Sequence, residues 1–491
     1  MNYIDKISQV KKSNILSNNY IFSPVRHFSV INSEKESYLI DLLDISSNKI
    51  SINNKKMRFY YVEIGSINKI NGLIEPTSRM PIELSSNKLC RLRKDDILIS
   101  TVRTYLGGIG IVDDNVENYV CSNSIIVFRR KDKTVPLYYI FSILRTPYFF
   151  EQVKLILNTS MYPRMDKESL NRLVIPRISN KNGDSSKIEE LVSLMQKNLL
   201  IKEKEIYERY KTIDNYIIEE LKTNQTNEKF NYKWPRKNEI SLNTRFDSGM
   251  YTCQFKENFY YINNYKFGVE YLSKSNIKSG STPKTRIMNP KNEKYKWITP
   301  TDINDFGLLD SINYIDMPNS NNIKKDSMLI INRTSKGKYG EYVGISMFYD
   351  YGISGDAHHN QGIYRVEGGK SDLLFYTAIF NTTLYRKICA SMTTGSKMKE
   401  MKSHDFSLIP IPKFDKTKRN LVNKMMYNEV EYIRKSQNEY INYEIERSKN
   451  LGLYQLREES RKMRKFIDHL IDRTILNKNI SLQIFNEYFI T

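Results

Sequence analysis

The chain has 491 residues, with 76 Lys plus Arg against 55 Asp plus Glu, a formal net charge of +21. That length allows two to four compact domains and excludes a small disulfide scaffold, while 40% hydrophobic and 12% aromatic residues exclude a mostly disordered chain. The basic surplus favours a polyanionic partner, nucleic acid above all, although the Asn, Lys, Ile and Tyr richness of an A+T-rich gene contributes to it.

The N-terminal MNYIDKISQVKKSN lacks an apolar run. The longest apolar stretch, Leu137 to Phe150, is too short for a bilayer and carries Arg145, so a cytoplasmic protein without membrane contact is expected. Cys90, Cys121, Cys253 and Cys389 form no C-x-x-C pair, and His27, His358, His359, His404 and His469 do not flank them at zinc-ligand spacing. Reduced, buried thiols and no metal are expected.

Residues 20 to 56 give no clear element. From Lys94, KDDILIS runs an acidic turn into a β-rich strand, further strands follow, an amphipathic helix is predicted near 137 to 150, and Ile175-Pro176 closes the segment. Residues 187 to 221 contain no Gly or Pro and carry a heptad row at Val192, Leu199, Ile206 and Ile213, which predicts one long helix with an apolar seam. At about 1.5 Å per residue it spans roughly 50 Å, the shape of a ruler. With six basic and eight acidic residues it is nearly neutral, so the basic surplus lies elsewhere.

The first order of elements then returns. Sliding the chain by 236 places Leu137 on Leu373, Ile143 on Ile379, Thr146 on Thr382, Ser160 on Ser396, Met165 on Met401, and Ile175-Pro176 on Ile411-Pro412. The same shift pairs Ile67-Asn68 with Ile303-Asn304, and a shift of 231 pairs KDDILIS with KDSMLII, Lys325 to Ile331. We read a duplication, with a second helix near 373 to 388. A further helical stretch begins at Lys416, where LVNKM echoes LVSLM of the central helix; Gly452 bends or ends it, and SLQIFNEYFIT is apolar enough to pack. The fold class expected is α+β: two repeated mixed domains, residues 1–182 and 225–415, joined by a helix at 183–224. The helical region 416–491 is expected to pair with that helix as an antiparallel coiled coil with pseudo-twofold symmetry.

Catalytic signatures are missing. GGKS at Gly368 to Ser371 has Tyr364 where a phosphate-binding loop needs its first glycine, and no G-x-S-x-G, H-E-x-x-H, deaminase or adenine-methyltransferase motif occurs. A non-catalytic chain is expected.

Two repeated domains, long helices and a basic balance resemble the specificity subunit of type I restriction-modification systems. The local texture lies in LRKDDILISTVRTYLGGIGIVDDNVENYVCSNSIIVFRR and NTSMYPRMDKESLNRLVIPRI of the first half, and in IKSGSTPKT, YKWITPTDI, HHNQGIYRV and TTGSKMKEMKSHDFSLIPIP of the second. The resemblance covers nearly the whole chain, but the first half lacks an S-G-S-T-P loop. It implies phage defence and DNA methylation, with a target-recognition domain in each half reading one half of an asymmetric split site. Methyltransferase subunits, two in number, and restriction/translocase subunits are the implied partners, and S-adenosylmethionine, ATP and Mg²⁺ are implied on those partners and not on this chain. The rivals are a DNA-binding nuclease and an inhibitory protein that keeps the recognition fold without a methyltransferase.

Base edges are read by Arg, Lys, Asn and Gln, and phosphates are held by Lys, Ser, Thr and backbone N–H groups. Candidate DNA contacts are therefore Arg103 and Thr104, with Arg333, Lys336 and Lys338 in the corresponding region, against the reading of an ordinary solvated turn. His359, Asn360 and Gln361 form an amide-rich step, matched by Ser122 and Asn123, with an Asx-turn as the competing explanation. Ser160, Tyr162 and Arg164 match the region of Ser396, Lys397 and Lys399 as a phosphate clamp. Ser281, Thr282 and Lys284 of the S-G-S-T-P loop, together with Ser66 and Thr301, complete the set.

Overall fold

The computed structural model describes residues 4–5, 29–30, 35–51, 57–84, 88–114, 116–157, 164–165, 168–179, 183–226, 229–237, 240, 248–283, 295–318 and 322–490. The chain forms two compact units, one built from Met1–Lys204, Glu431–Lys449 and Ser460–Thr491, the other from Glu205–Val430 and Asn450–Glu459. The helical region expected as one block after residue 416 is thus shared between both units.

In the first unit, a four-stranded antiparallel sheet runs in the order Ile109–Ile111, Ile97–Ser100, Ile125–Arg130, Leu43–Ile45. Ile97, Leu98 and Ile99 are buried on both faces, which is why KDDILIS reads as an unbroken apolar run. Asp95 turns the chain into this strand with φ 68°, and Asp96 holds Arg129 across the sheet at 2.9 Å. A second sheet orders Lys49–Ser51, Lys88–Arg91, Tyr119–Cys121, Phe59–Val62, Thr77–Arg79, with Phe59–Val62 parallel to Tyr119–Cys121.

The second unit repeats this plan. Its antiparallel sheet orders Ser346–Tyr349, Ser327–Ile331, Ile363–Glu367, Ile277–Ser279, and its other sheet orders Asn313–Ile315, Tyr295–Ile298, Ala357–His359, Asn322–Ile323, again around one parallel pair. Each I-P exit pairs with a short early strand, Val174–Pro176 with Glu36–Tyr38 and Ile411–Pro412 with Val269–Glu270.

The amphipathic helix predicted in each half is two helices: α1 (Leu137–Leu144) and α2 (Pro147–Ile156) in the first unit. The long helix follows as α3 (Ser185–Thr223), and α4 (Cys253–Asn263) opens the second unit's helices. The second break lies between α5 (Lys370–Asn381) and α6 (Thr383–Met392). The cause is a shared N-cap: Thr146 and Thr382 take extended backbone, and their hydroxyls accept from the N–H groups of Phe149 and Tyr385.

The C-terminal region holds three helices, α7 (Lys416–Met426), α8 (Gln437–Asn450) and α9 (Leu453–Ile475). Helix α7 packs on the second unit, where Arg419 reaches Asp372 at 2.6 Å. Within the first unit, Asn198 donates to Tyr440 at 2.6 Å and Lys202 pairs with Glu444 at 2.6 Å, so α8 runs parallel to α3, an addition to the antiparallel pairing expected of this region. Helix α9 is the antiparallel neighbour: the first unit takes α3 up to Lys204 and α9 from Ser460 onward, the second takes α3 from Glu205 and α9 up to Glu459, and in the first Glu203 accepts from Ser460 and, at 2.9 Å, from Arg464. Gly452 ends α8 as expected, because a Cβ there would meet the Asn428 nitrogen at 2.3 Å. Phe485 and Phe489 of the C-terminal segment are buried.

The seam residues are all buried, but in two cores: Val192 and Leu199 in the first unit's, Ile206 and Ile213 in the second's. The four cysteines are free thiols. Cys121 and Cys389 are buried as expected, whereas Cys90 is half-buried and Cys253, the first residue of α4, is exposed. Among the described residues, no helix is long and apolar enough to cross a membrane.

Candidate nucleic-acid interface

Both units gather their candidate residues where the central strand of the antiparallel sheet ends. In the second unit Asn332, next after Ser327–Ile331, is buried, donates its N–H to the Gly362 carbonyl at 3.0 Å and its Nδ2 to the Gln361 carbonyl at 3.2 Å. Its own carbonyl accepts from the Met401 N–H at 2.9 Å. One amide thereby ties together three chain reversals: the segment after Asn332, the His359–Gly362 step and the approach to Met401. Arg333–Thr334 then ladders with Lys399–Glu400, and the Arg333 guanidinium lies 3.8 Å from Glu400.

The first unit makes the same knot with other residues. Thr101 takes the place of Asn332: its N–H donates to Ser124 at 2.8 Å, and its carbonyl accepts from Met165 at 2.9 Å. Val102 bridges to Arg164 as Arg333 does to Glu400. Ser122 and Asn360 each donate an N–H across the parallel pair at 2.9 Å, to Val62 and to Ile298, which fixes their equivalence.

The S-G-S-T-P loop of the second unit sits on the His359–Asn360 step. Ser281 donates its N–H to the His359 carbonyl at 3.2 Å and Asn360 donates to the Thr282 hydroxyl at 3.2 Å. Gly280 is required, because a Cβ there would lie 2.2 Å from the Asn360 carbonyl. The Asn360 carboxamide also accepts from the Gly362 N–H at 2.7 Å, the Asx-turn weighed from the sequence. Gln361 is exposed beside it.

Exposed on the second unit's cluster are Lys336, Lys338, Ser396 and Lys397, with Lys399 half-buried. Lys336 lies 2.7 Å from Asp305 and 4.0 Å from the Tyr342 ring centre. In the first unit Arg103 and Asn123 are exposed, as is Arg164, and Ser122 is half-buried. Arg103 has φ 46°, a left-handed backbone that costs a non-glycine residue energy and turns the chain sharply after the strand. Ser160, Tyr162 and Lys284 lie outside the described residues.

Three candidates are withdrawn from a surface role. Thr104 is fully buried, its hydroxyl donating to the Ser100 carbonyl. His359 is 1% exposed and bonded to Ile363; burial first, and then the Arg365 guanidinium, pushes its pKa down to about 4. Ser66 is buried, its Oγ accepting from the Glu63 N–H at 3.2 Å to close a helical turn. The residue equivalent to Ser66 is Asp302, which closes the matching turn at Thr299, while the neighbouring candidate Thr301 is exposed.

Sequence reasoning missed Tyr339, 69% exposed in the same loop as Lys336 and Lys338, with the Lys338 ammonium 5.1 Å from its ring centre. The signal was legible in SKGKYGEY, an aromatic interleaved with lysines. Among the described residues, no three His, Cys, Asp or Glu side chains gather as a metal site.

No family model matches the chain, and no curated protein matches it. Solved structures similar to the chain include the following. One is a chain from "Structural basis underlying complex assembly and conformational transition of the type I R-M system", at 14% identity and TM-score 0.32, covering 90% of this chain and 97% of that one. Another is the HsdS subunit from Thermoanaerobacter tengcongensis, at 14% identity and TM-score 0.31, covering 91% and 97%. The third is the type I restriction-modification system S subunit from M. genitalium, at 14% identity and TM-score 0.46, covering 91% and 96%.

Proposed function

We propose that this chain is the non-catalytic DNA-specificity subunit of a type I restriction-modification complex. The observation that carries the reading is the duplicated knot of loops, with Met165 N–H on Thr101 in one unit and Met401 N–H on Asn332 in the other. The backbone plan is kept while the exposed side chains differ. One unit offers Arg103, Asn123 and Arg164, the other Gln361, Lys336, Lys338, Tyr339 and Lys397. A repeated scaffold with different readers suits a bipartite, asymmetric target, one half-site per unit. The amide and guanidinium groups are suited to base edges and the lysines to phosphates.

On this reading the long helix sets the gap between half-sites, and the chain docks methyltransferase and restriction/translocase subunits. S-adenosylmethionine, ATP and Mg²⁺ then belong to those partners. Base-resolution mapping of adenine methylation tests it, in a host carrying this gene with its neighbouring methyltransferase gene and in one lacking it. A new split asymmetric motif that needs both genes is the expected result. Soluble, co-purifying proteins that add no motif would overturn the reading in favour of an inhibitory or nucleolytic protein.

A further inference from the structure

The first unit holds a cavity of about 510 Å³ where α1 meets α2, walled by Leu199 of α3 and by Arg464, Ile467 and Asp468 of α9. The duplication supplies its counterpart. A shift of 236 carries Ile70, Arg145, Thr146 and Pro147 of this wall onto Phe306, Asn381, Thr382 and Thr383. A shift of 254 carries Arg464, Ile467 and Asp468 onto Tyr210, Ile213 and Asp214 of α3. Those residues line the corresponding place in the second unit, where only about 10 Å³ remains.

Of the positions that differ, two bear on the space and on the carboxylate. In the second unit the Phe306 ring packs 5.0 Å from the Tyr210 ring and fills the space, whereas Ile70 is smaller and 55% exposed. In the second unit Asp214 also has its donors: the Thr383 N–H at 2.8 Å and the Thr383 hydroxyl at 3.0 Å. Pro147 stands in Thr383's place and has neither an N–H nor a hydroxyl to give Asp468. Asp468 is open to water inside the cavity yet enclosed by protein, and that enclosure raises its carboxyl pKa against the pull of Arg464. The first unit therefore keeps the carboxylate of the filled site, has Arg145 and Arg464 where that site has Asn381 and Tyr210, and lacks both the ring and the threonine donor.

We propose that this cavity is a docking socket for a partner protein, which inserts an aromatic side chain where Phe306 lies in the second unit and gives a hydrogen-bond donor to Asp468. A ring in the space beside Leu199 and Ile467 restores apolar contact, and an N–H or cationic donor satisfies the carboxylate. Because the second unit has filled its own copy, this socket takes one copy of the partner. The identity of that partner as a methyltransferase subunit rests on the function proposed above.

The test uses the full chain co-purified with the methyltransferase subunit encoded beside its gene. Ile70→Trp, which refills the cavity from within, and Asp468→Leu are each expected to weaken the complex about tenfold, as removal of a central anchor does. Ile70→Trp should also remove one methyltransferase copy from the complex, read by native mass spectrometry. Ile82→Ala, at a residue 93% exposed elsewhere in the unit, should leave the complex unchanged. A photo-cross-linking amino acid at position 70 is a second readout independent of how Ile70→Trp folds, and should capture the methyltransferase. Wild-type affinity in both cavity variants with no cross-link would overturn the socket and leave the specificity reading standing. Failure of the wild-type chain to bind the methyltransferase would overturn both.

Discussion

His359 keeps its ring away from solvent, with Nδ1 donating to the Ile363 carbonyl at 3.2 Å. A pKa lowered from 6.5 to about 4 means that the folded chain refuses a proton that the unfolded chain accepts. Stability from this group is therefore complete above pH 6.5 and is lost as pH falls from there toward 4, by about 3 kcal/mol at most. Trp297, buried and directly opposite His358 in the sheet, reports unfolding of this region. Urea unfolding followed by its fluorescence should show wild type losing about 2–3 kcal/mol more than His359→Asn between pH 7.5 and 4.5. Equal pH slopes for the two proteins would show that the histidine is not held neutral. The sequence marked the His359–Gln361 step, but His359 ends a strand with its ring turned inward, while Asn360 is half-buried and Gln361 exposed. Alternation along Ala357–His359 does not settle this, because His358 and His359 are both buried.

At the scale of elements, the first unit binds α3 to α8 through a polar contact inside the protein. Lys202 and Glu444 are each 1% exposed and 2.6 Å apart, with Asn198 and Tyr440 bonded one turn away. Removing the Lys202 charge leaves buried Glu444 to Arg447, 3.6 Å away, so Lys202→Met is expected to cost about 3 kcal/mol, while Lys202→Met with Glu444→Leu is expected to cost less than the two single losses together. Chemical denaturation of the four proteins of this cycle measures it, and additive losses would mean that the pair does not act as a unit. Nothing in the spacing of Lys202 marks it as interior. Its neighbours on the heptad row, Leu199 and Ile206, were legible because apolar residues at helical spacing have one economical place to go. A buried lysine depends on a carboxylate that lies 242 residues away in the chain. The helix breaks at Thr146 and Thr382 were hidden for a related reason: an apolar pattern continues across a cap, and only the capping hydroxyl and the extended backbone end the helix.

For the whole molecule, the duplication was visible in the sequence as matched pairs at one shift, but the division into units was not, because the chain passes between units at 204/205, 430/431, 449/450 and 459/460. This changes what the proposed ruler requires. A heptad removed from α3 alone, between Val192 and Ile213, takes away side chains that each unit needs for its own core, and leaves the other three passages at their old length. An insertion at the passages themselves spares both cores. Seven residues after Lys204 in α3 and seven after Glu459 in α9, with flexible seven-residue linkers at the other two passages, add about 10.5 Å of helix. At about 3.4 Å per base pair, the methylated motif should gain roughly three base pairs between half-sites that stay unchanged. Insertion after Lys204 alone should lower stability without moving the gap, since the uncut passages oppose it. Methylation mapping of the matched variant decides the matter: a lengthened gap supports the helix as the spacer, and an altered half-site with the original gap would mean that the distance is set elsewhere.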